Sequence, residues 1–233
     1  MKTNKIFQLS VVVLSLTNIF LTEGFSGEFE KSTAAIVTKV IQSVEHKSAD
    51  SDWTSTKPLT QLETSDVLRT GERSLAIIRF LDGSNLRVRE KTTITISAEK
   101  KPNGFSKNTR IDAGKMRFET VKQKGDDEFL ITTPTAVASI RGTEGVVHVL
   151  DDGATMLTLD SGRVDVWATL GAQQTGTVEG GMTALISTEG SVAVDYSTKE
   201  QLDDSRKSTM TKERYIRIQT NVGTFQLNYL DHE

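Results

Sequence analysis

The 233-residue chain contains no cysteine. That absence excludes a disulfide framework, thiolate zinc sites, iron–sulfur clusters and a cysteine nucleophile. Histidine is nearly as scarce, and His46, His148 and His232 lie too far apart for a spaced metal motif. There are 3 prolines, and aromatic residues make up only 6%, so aliphatic side chains must supply most of any core. Charge of one sign is lacking too. The net charge is −3, and wholesale attraction to nucleic acid is not expected. What the chain does have is β-branched residues: 31 Thr, 19 Val and 14 Ile, more than a quarter of the whole. Their stiff χ1 rotamers suit a pleated surface better than a helix, so composition predicts an all-β fold.

A single long apolar run occurs, over residues 6–21, after Lys2 and Lys5 and before the small residues Gly24 and Ser26. Gln8, Ser10, Ser15, Thr17 and Asn18 interrupt it. It therefore falls short of the roughly 20 apolar residues of a spanning helix. The pattern predicts an N-terminal signal-peptide helix over 1–26, cleaved near residue 26, and a periplasmic or secreted protein. An uncleaved inner-membrane anchor is the alternative. No later segment is apolar enough to span a membrane once the signal is removed.

From residue 33 the chain reads as short alternating strands. Ile36, Val40 and Val44 are expected on one face of the opening segment. Ala76, Ile78 and Phe80 alternate with Ile77 and Arg79, and the return strand sets Leu86 and Val88 against Arg87 and Arg89. Met116 and Phe118, Phe129 and Ile131, Val147 and Val149, and Leu157 and Leu159 repeat the pattern. Such period-2 runs predict sheets with one buried and one wet face. Asp82-Gly83-Ser84 and Asp160-Ser161-Gly162 supply tight turns, where glycine accepts positive φ. Turn signals at about 8–12-residue spacing point to a sandwich, barrel or β-solenoid-like fold of short antiparallel strands. This β domain is expected over 33–196. A polar linker or one short helix follows over 197–213. Residues 214–229 form a terminal hairpin, whose Phe225, Leu227 and Tyr229 share one face. An isolated hairpin is marginal, so it is expected to dock on the main domain.

The segment 132–144, Thr-Thr-Pro-Thr-Ala-Val-Ala-Ser-Ile-Arg-Gly-Thr-Glu, resembles the signature of the FecR domain family of bacterial periplasmic β domains. Asp66-Val67-Leu68-Arg69-Thr70-Gly71, Phe80-Leu81-Asp82-Gly83-Ser84, residues 92–96, Ala113-Gly114-Lys115 and the stretch 159–164 are similar to further family segments. The resemblance covers roughly 33–195 and implies a periplasmic β module without known catalysis. One departure is Gly145, where the family usually has Phe; that core contact must be missing or supplied elsewhere. Another is that only a few residues precede the apolar run, so the resemblance does not carry sigma-factor control. The signature residues Thr133, Pro134, Thr135, Arg141, Gly142, Thr143 and Glu144 read as structural. Arg141 is expected to fork onto a nearby carboxylate such as Glu144; a ligand-binding arginine is the competing reading.

Charge is distributed unevenly. Residues 79–124 hold 12 basic and 5 acidic residues, whereas 125–204 hold 3 basic and 14 acidic. Either the basic stretch meets an anionic polymer, with Arg87, Arg89 and Lys91 as contacts, or opposed strands neutralise one another. Catalytic motifs of the hydrolase, zincin, Walker and dinucleotide types are absent, and no catalytic, metal or cofactor residues are expected. Asp151-Asp152-Gly153 reads as a hairpin turn and His148 as a surface residue. The sequence thus describes a non-enzymatic exported module for envelope interaction or sensing, with an envelope protein or anionic polymer as partner. Two alternatives stay open: a polyanion- or glycan-binding module using 79–124, and an envelope glycan hydrolase with a carboxylate pair.

Overall fold

Strand pairs alternate between two sheets that share one apolar core. The computed structural model describes residues 33–49, 51–102, 104–207 and 213–230; the expected signal peptide lies outside them. The chain starts in the first sheet with β1 (Thr33–Ile41), then crosses to the second with β2 (Val44–Lys47) and β3 (Thr54–Ser55). It returns with β4 (Gln61–Glu63), crosses again with β5 (Val67–Thr70), and makes a first-sheet hairpin from β6 (Leu75–Phe80) and β7 (Asn85–Val88). β8 (Thr93–Lys101) and the first part of β9 (Gly104–Glu119) pair in the second sheet. The hairpin of β10 (Glu128–Thr132) and β11 (Ala136–Ile140) stays there. β12 (Glu144–Val149) and β13 (Thr155–Ser161) go back to the first sheet. β14 (Arg163–Ala168) and β15 (Thr175–Glu179) join the second, and β16 (Met182–Ile186) and β17 (Val192–Tyr196) the first.

The first sheet therefore has the order β4-β1-β6-β7-β9-β12-β13-β16-β17, and the second β3-β2-β5-β8-β9-β10-β11-β14-β15. Both advance nearly in chain order. The sandwich and the solenoid-like reading are thus one object, a two-sheet sandwich laid down hairpin by hairpin, and not a closed barrel. Among the described residues β9–β10 is the parallel pair and the other pairings are antiparallel. The inward residues of both sheets form a single cluster, with Phe80 and Phe129 meeting edge to face at 5.5 Å. Phe118, Leu86, Ile94 and Ile111 are fully buried in it.

Two strands break their alternation. In β1 the register shifts between Val37 and Lys39, so Ala35, Val37 and Ile41 are buried while Ile36 and Val40 are only half-buried. The bulge moves side chains from one side to the other. Of the three residues expected on one face, Val40 and Val44 do face the core, Ile36 is corrected to the opposite face, and Ile41 is buried with Leu75 in a small separate cluster. In β9 the break is larger. Up to Ala113 the strand pairs with β8, and Lys107, Thr109 and Ile111 point inward. From Gly114 it pairs with β7 and β12, and Met116 and Phe118 point inward. Gly114 has φ +90, and a Cβ there would lie 2.3 Å from Thr92 Oγ1, so the bend admits no side chain.

Within the segment read as a linker or short helix, α1 (Lys199–Lys207) forms. Thr198 and Gln201 cap it reciprocally: the Gln201 N–H donates to Thr198 Oγ1 at 3.2 Å, and the Thr198 N–H to Gln201 Oε1 at 2.8 Å. Glu200 in the first turn and Arg206 and Lys207 in the last suit the helix dipole. The helix lies on the outer face of the first sheet. Beyond it β18 (Glu213–Thr220) and β19 (Gly223–Leu230) pair as a two-stranded sheet of their own, and β19 comes close to β1. Ile216 opposes Leu227 and Ile218 opposes Phe225, and all four are about half exposed.

Candidate functional site

One cation is buried inside the core and one on the outer face of the first sheet, on either side of the bend in β9. Before it, Lys107 points into the core, 1% exposed, and its ammonium bonds the carboxylate of Asp82. The rings of Phe129 and Phe80 flank it at 4.9 and 5.4 Å. Burial alone would push the Asp82 carboxyl up, but Lys107 and the Ser84 N–H and hydroxyl outweigh it and hold it below the usual carboxylate range.

After the bend, Arg117 sits on the outer face, yet it is 4% exposed. Its guanidinium donates to Glu119 at 3.2 Å, to Glu144 at 3.3 Å and to Asp160, and also to Ser205 Oγ of α1 at 3.2 Å. Ser205 in turn donates to Asp160 at 2.7 Å. Beside it, Lys115 donates to Asp204 of α1 at 2.8 Å. These contacts latch the helix to the sheet.

The expected Arg141–Glu144 pair is corrected here. Glu144 opposes Glu119 across β12 and β9, so Arg117, two residues along the same face, is the guanidinium within reach. Arg141 precedes a reversal at Gly142, which has φ +84, and is exposed. His148 is also corrected. It does alternate away from Val147 and Val149, but that outer face lies beneath α1 and leaves it half-buried. Burial, then Lys115, lowers its pKa, against the opposing pull of Asp204 and Asp151.

The other sequence motifs meet around the end of β9. Gly142 and Thr143 pack on residues 120–122, with the Thr143 N–H donating to Thr120 Oγ1 at 2.9 Å. Gly162, with φ +88, faces the Thr143 methyl, where a Cβ would lie 2.4 Å away. Ser84 accepts the Val121 N–H, which brings the Asp82-Gly83-Ser84 turn alongside. Asp160, from the Asp160-Ser161-Gly162 turn, reaches Arg117 as described. Thr133 and Thr135 flank Pro134 and each bond Thr155 at 2.7 Å, tying the β10–β11 connection to β13 in the facing sheet. Where the family's Phe is absent, Gly145 opposes Phe118, and a Cβ would collide with the Thr158 carbonyl at 2.4 Å. Phe118, reaching in from β9, fills that space.

The basic stretch is largely neutralised. Arg87 lies 3.7 Å from Glu119 and Lys91 bonds Glu72 at 2.9 Å. Lys101 bonds Glu128 at 3.2 Å, and Lys115 and Arg117 take carboxylates from the acidic stretch as described. The reason is register: β9 of the basic stretch pairs directly with β10 and β12 of the acidic one. Arg89 lines a cleft.

That cleft lies between α1 and the first sheet, as two adjoining cavities of about 680 and 480 Å³ that share Lys115, His148, Leu150 and Asp204. The larger also reaches Arg89 and Pro134. The smaller has Val146, Leu150 and Met156 on its floor. The carboxylates gathered nearby, Glu119, Glu144 and Asp160, all accept from one guanidinium. Among the described residues no group of three or more His, Asp or Glu is arranged to hold a metal ion. Alternation alone placed Arg117 on a wet face and so missed its role. The signal for its cover was present in Thr198-x-x-Gln201, a helix-capping pattern.

A family model described as FecR protein matches residues 66–165, and this stretch is a FecR domain. Two crystal structures of a candidate anti-sigma factor from Parabacteroides distasonis ATCC 8503 are similar in fold, each with TM-score 0.51 and 12% identity. The alignments cover 67% of this chain and 69% and 68% of those chains. No curated protein matches in sequence.

Proposed function

We propose that this FecR-domain chain is an exported, non-enzymatic module of the cell envelope that senses or binds a protein partner at the cleft between α1 and the first sheet. The observation that carries this reading is the latch. Glu144 and Asp160, inside the FecR match, hold Arg117, and Arg117 holds a helix that lies beyond the match. A domain that spends a buried arginine on one peripheral helix has a surface whose exposure can be controlled. The candidate anti-sigma factors of similar fold are consistent with a signalling task. The signal-like N-terminus supports export and a periplasmic or secreted location.

The test uses the full chain in its native host. A photo-crosslinking residue at Met156, in the cleft, should yield one discrete protein adduct. The same residue at Leu59, exposed on the other part of the surface, should yield none. Equal labelling from both sites, or none from Met156, would remove the reading. Intact mass should show loss of about the first 24–26 residues; a retained Met1 in a carbonate-resistant membrane fraction would replace export by anchoring.

A further inference from the structure

An apolar sheet face is normally covered by an apolar stripe of the helix laid on it. Here the cover does not match the floor. From the sheet side the cavity is lined by Val146, Leu150 and Met156, together with Lys115, His148 and Thr158. The helix, Lys-Glu-Gln-Leu-Asp-Asp-Ser-Arg-Lys, has Leu202 as its one large apolar residue, and that side chain is only partly buried. Ser205 is the one fully buried residue of α1. Above Met156 stands not a Leu or Ile but the Gln201 amide, 3.7 Å from the sulfur. A cavity of about 480 Å³ remains between helix and sheet. Polar contacts at one side, Arg117 and Asp160 with Ser205 and Lys115 with Asp204, hold the helix in place.

We infer that the floor beneath α1 is a docking groove for an acidic amphipathic helix of a protein partner, and that α1 is its displaceable occupant. This rests on the reading of the cleft as the partner site and names the partner's chemistry. The acidic character follows from charge complementarity. When α1 leaves, Lys115 loses the Asp204 carboxylate. Arg117 keeps Glu119, Glu144 and Asp160, so the vacated ligand on its side is a hydroxyl rather than a carboxylate. The partner helix therefore needs an acid at the Asp204 position, a small residue next to it, and a Leu or Met three residues earlier, where Gln201 stands. That Leu or Met would fill the cavity over Met156. Residues at this spacing share one helix face.

The experiment uses the full chain and two synthetic 16-residue helical peptides with the same apolar stripe. One carries Glu at the position matching Asp204 and the other carries Lys there. The acidic peptide should bind at least tenfold more tightly than the basic one, and binding should speed amide exchange in α1 while β12 and β13 stay protected. Gln201→Leu gives up the acceptor for the Thr198 N–H, keeps the residue-201 N–H on Thr198 Oγ1, and supplies the missing apolar contact within the chain itself. It should slow exchange in α1 and weaken acidic-peptide binding at least tenfold. Asp204→Asn loosens the latch and should strengthen that binding. Equal binding of the two peptides, binding unaltered by Gln201→Leu, or no binding to either wild type or Asp204→Asn would overturn the inference. If that happens while Met156 still gives its discrete adduct in the host, the partner site stands and only the helical, acidic partner falls.

Discussion

Lys107 and Arg117 lie on the same strand, both buried, and have opposite surroundings. Lys107 is enclosed in the core with one carboxylate, Asp82, which is itself 24% exposed. Arg117 lies outside the sandwich with three carboxylates and is hidden by a helix. The difference originates in the bend around Gly114: the inward residues are odd-numbered up to Ile111 and even-numbered from Met116. A buried cation is costly unless paired. The core solves this with a single partner and two aromatic faces, whereas the outer face needs a network. The comparison teaches that the core pair ties β9 to the β6–β7 turn alone, while the outer network joins β9, β12, β13 and α1.

Removing each cation should break the two regions unequally. Arg117→Met leaves Glu119, Glu144 and Asp160 facing one another, and should cost about 3 kcal/mol, as for a buried pair deprived of one member. It should also free α1, read as faster amide exchange in 199–207. Gly145→Ala pushes a methyl group between Phe118 and the Thr158 carbonyl and should cost about 1–3 kcal/mol by overpacking. Lys107→Met should cost less, about 1 kcal/mol, because Asp82 keeps Ser84 and its access to water. Denaturant midpoints that reversed the order of Arg117 and Lys107 would sink the comparison.

Acid should sharpen it by direction. Asp82 has a lowered pKa in the folded state, so its contribution is present above the ordinary carboxylate value near 3.9 and is lost as pH falls through the folded value. Lys107→Met should weaken that acid dependence, leaving the part that Ser84 supplies. His148 is likewise held low, so its neutral form supports folding above the ordinary value near 6.5. As pH falls below that value the unfolded chain takes up the proton first, and stability declines towards the folded pKa. His148→Gln should flatten this step in a melting-temperature profile; an unchanged slope would show that the imidazole does not carry it. The smallest effect is expected at Arg141. Exposed and clear of the Arg117 network, it should change stability by no more than about 0.5 kcal/mol on conversion to Ala, whereas a structural pair with Glu144 would have cost more.

Much of the sandwich was legible because period-2 alternation is a local property. Ala76, Ile78, Phe80, Leu86, Val88, Met116 and Phe118 all point inward as their spacing predicts. The turns at Asp82-Gly83-Ser84 and Asp151-Asp152-Gly153 are likewise local, since Asp82 and Asp152 accept N–H groups two residues on. Bulges defeated the method. At Thr38 and near Asp112 one extra residue flips the pattern, and nothing in the spacing announces it. The candidate site was least legible. Arg117 stands between Met116 and Phe118 like any outward residue, and its burial depends on a helix 82 residues further along the chain.

By itself, then, the sequence determined an all-β chain with its inward residues, its tight turns and a FecR resemblance, because rotamer stiffness, alternation and glycine φ act over a few residues. Only the tertiary structure decided which charges meet. Charge runs at 79–124 and 125–204 left a bipolar surface and cross-strand neutralisation both open, and pairing β9 with β10 and β12 folds one run against the other. The tertiary structure also decided that the outer face of the first sheet is a covered groove. Coulombic pairing and burial depend on distance in space, and hairpins that alternate between two sheets bring residues as far apart as Lys115 and Asp204 within 2.8 Å.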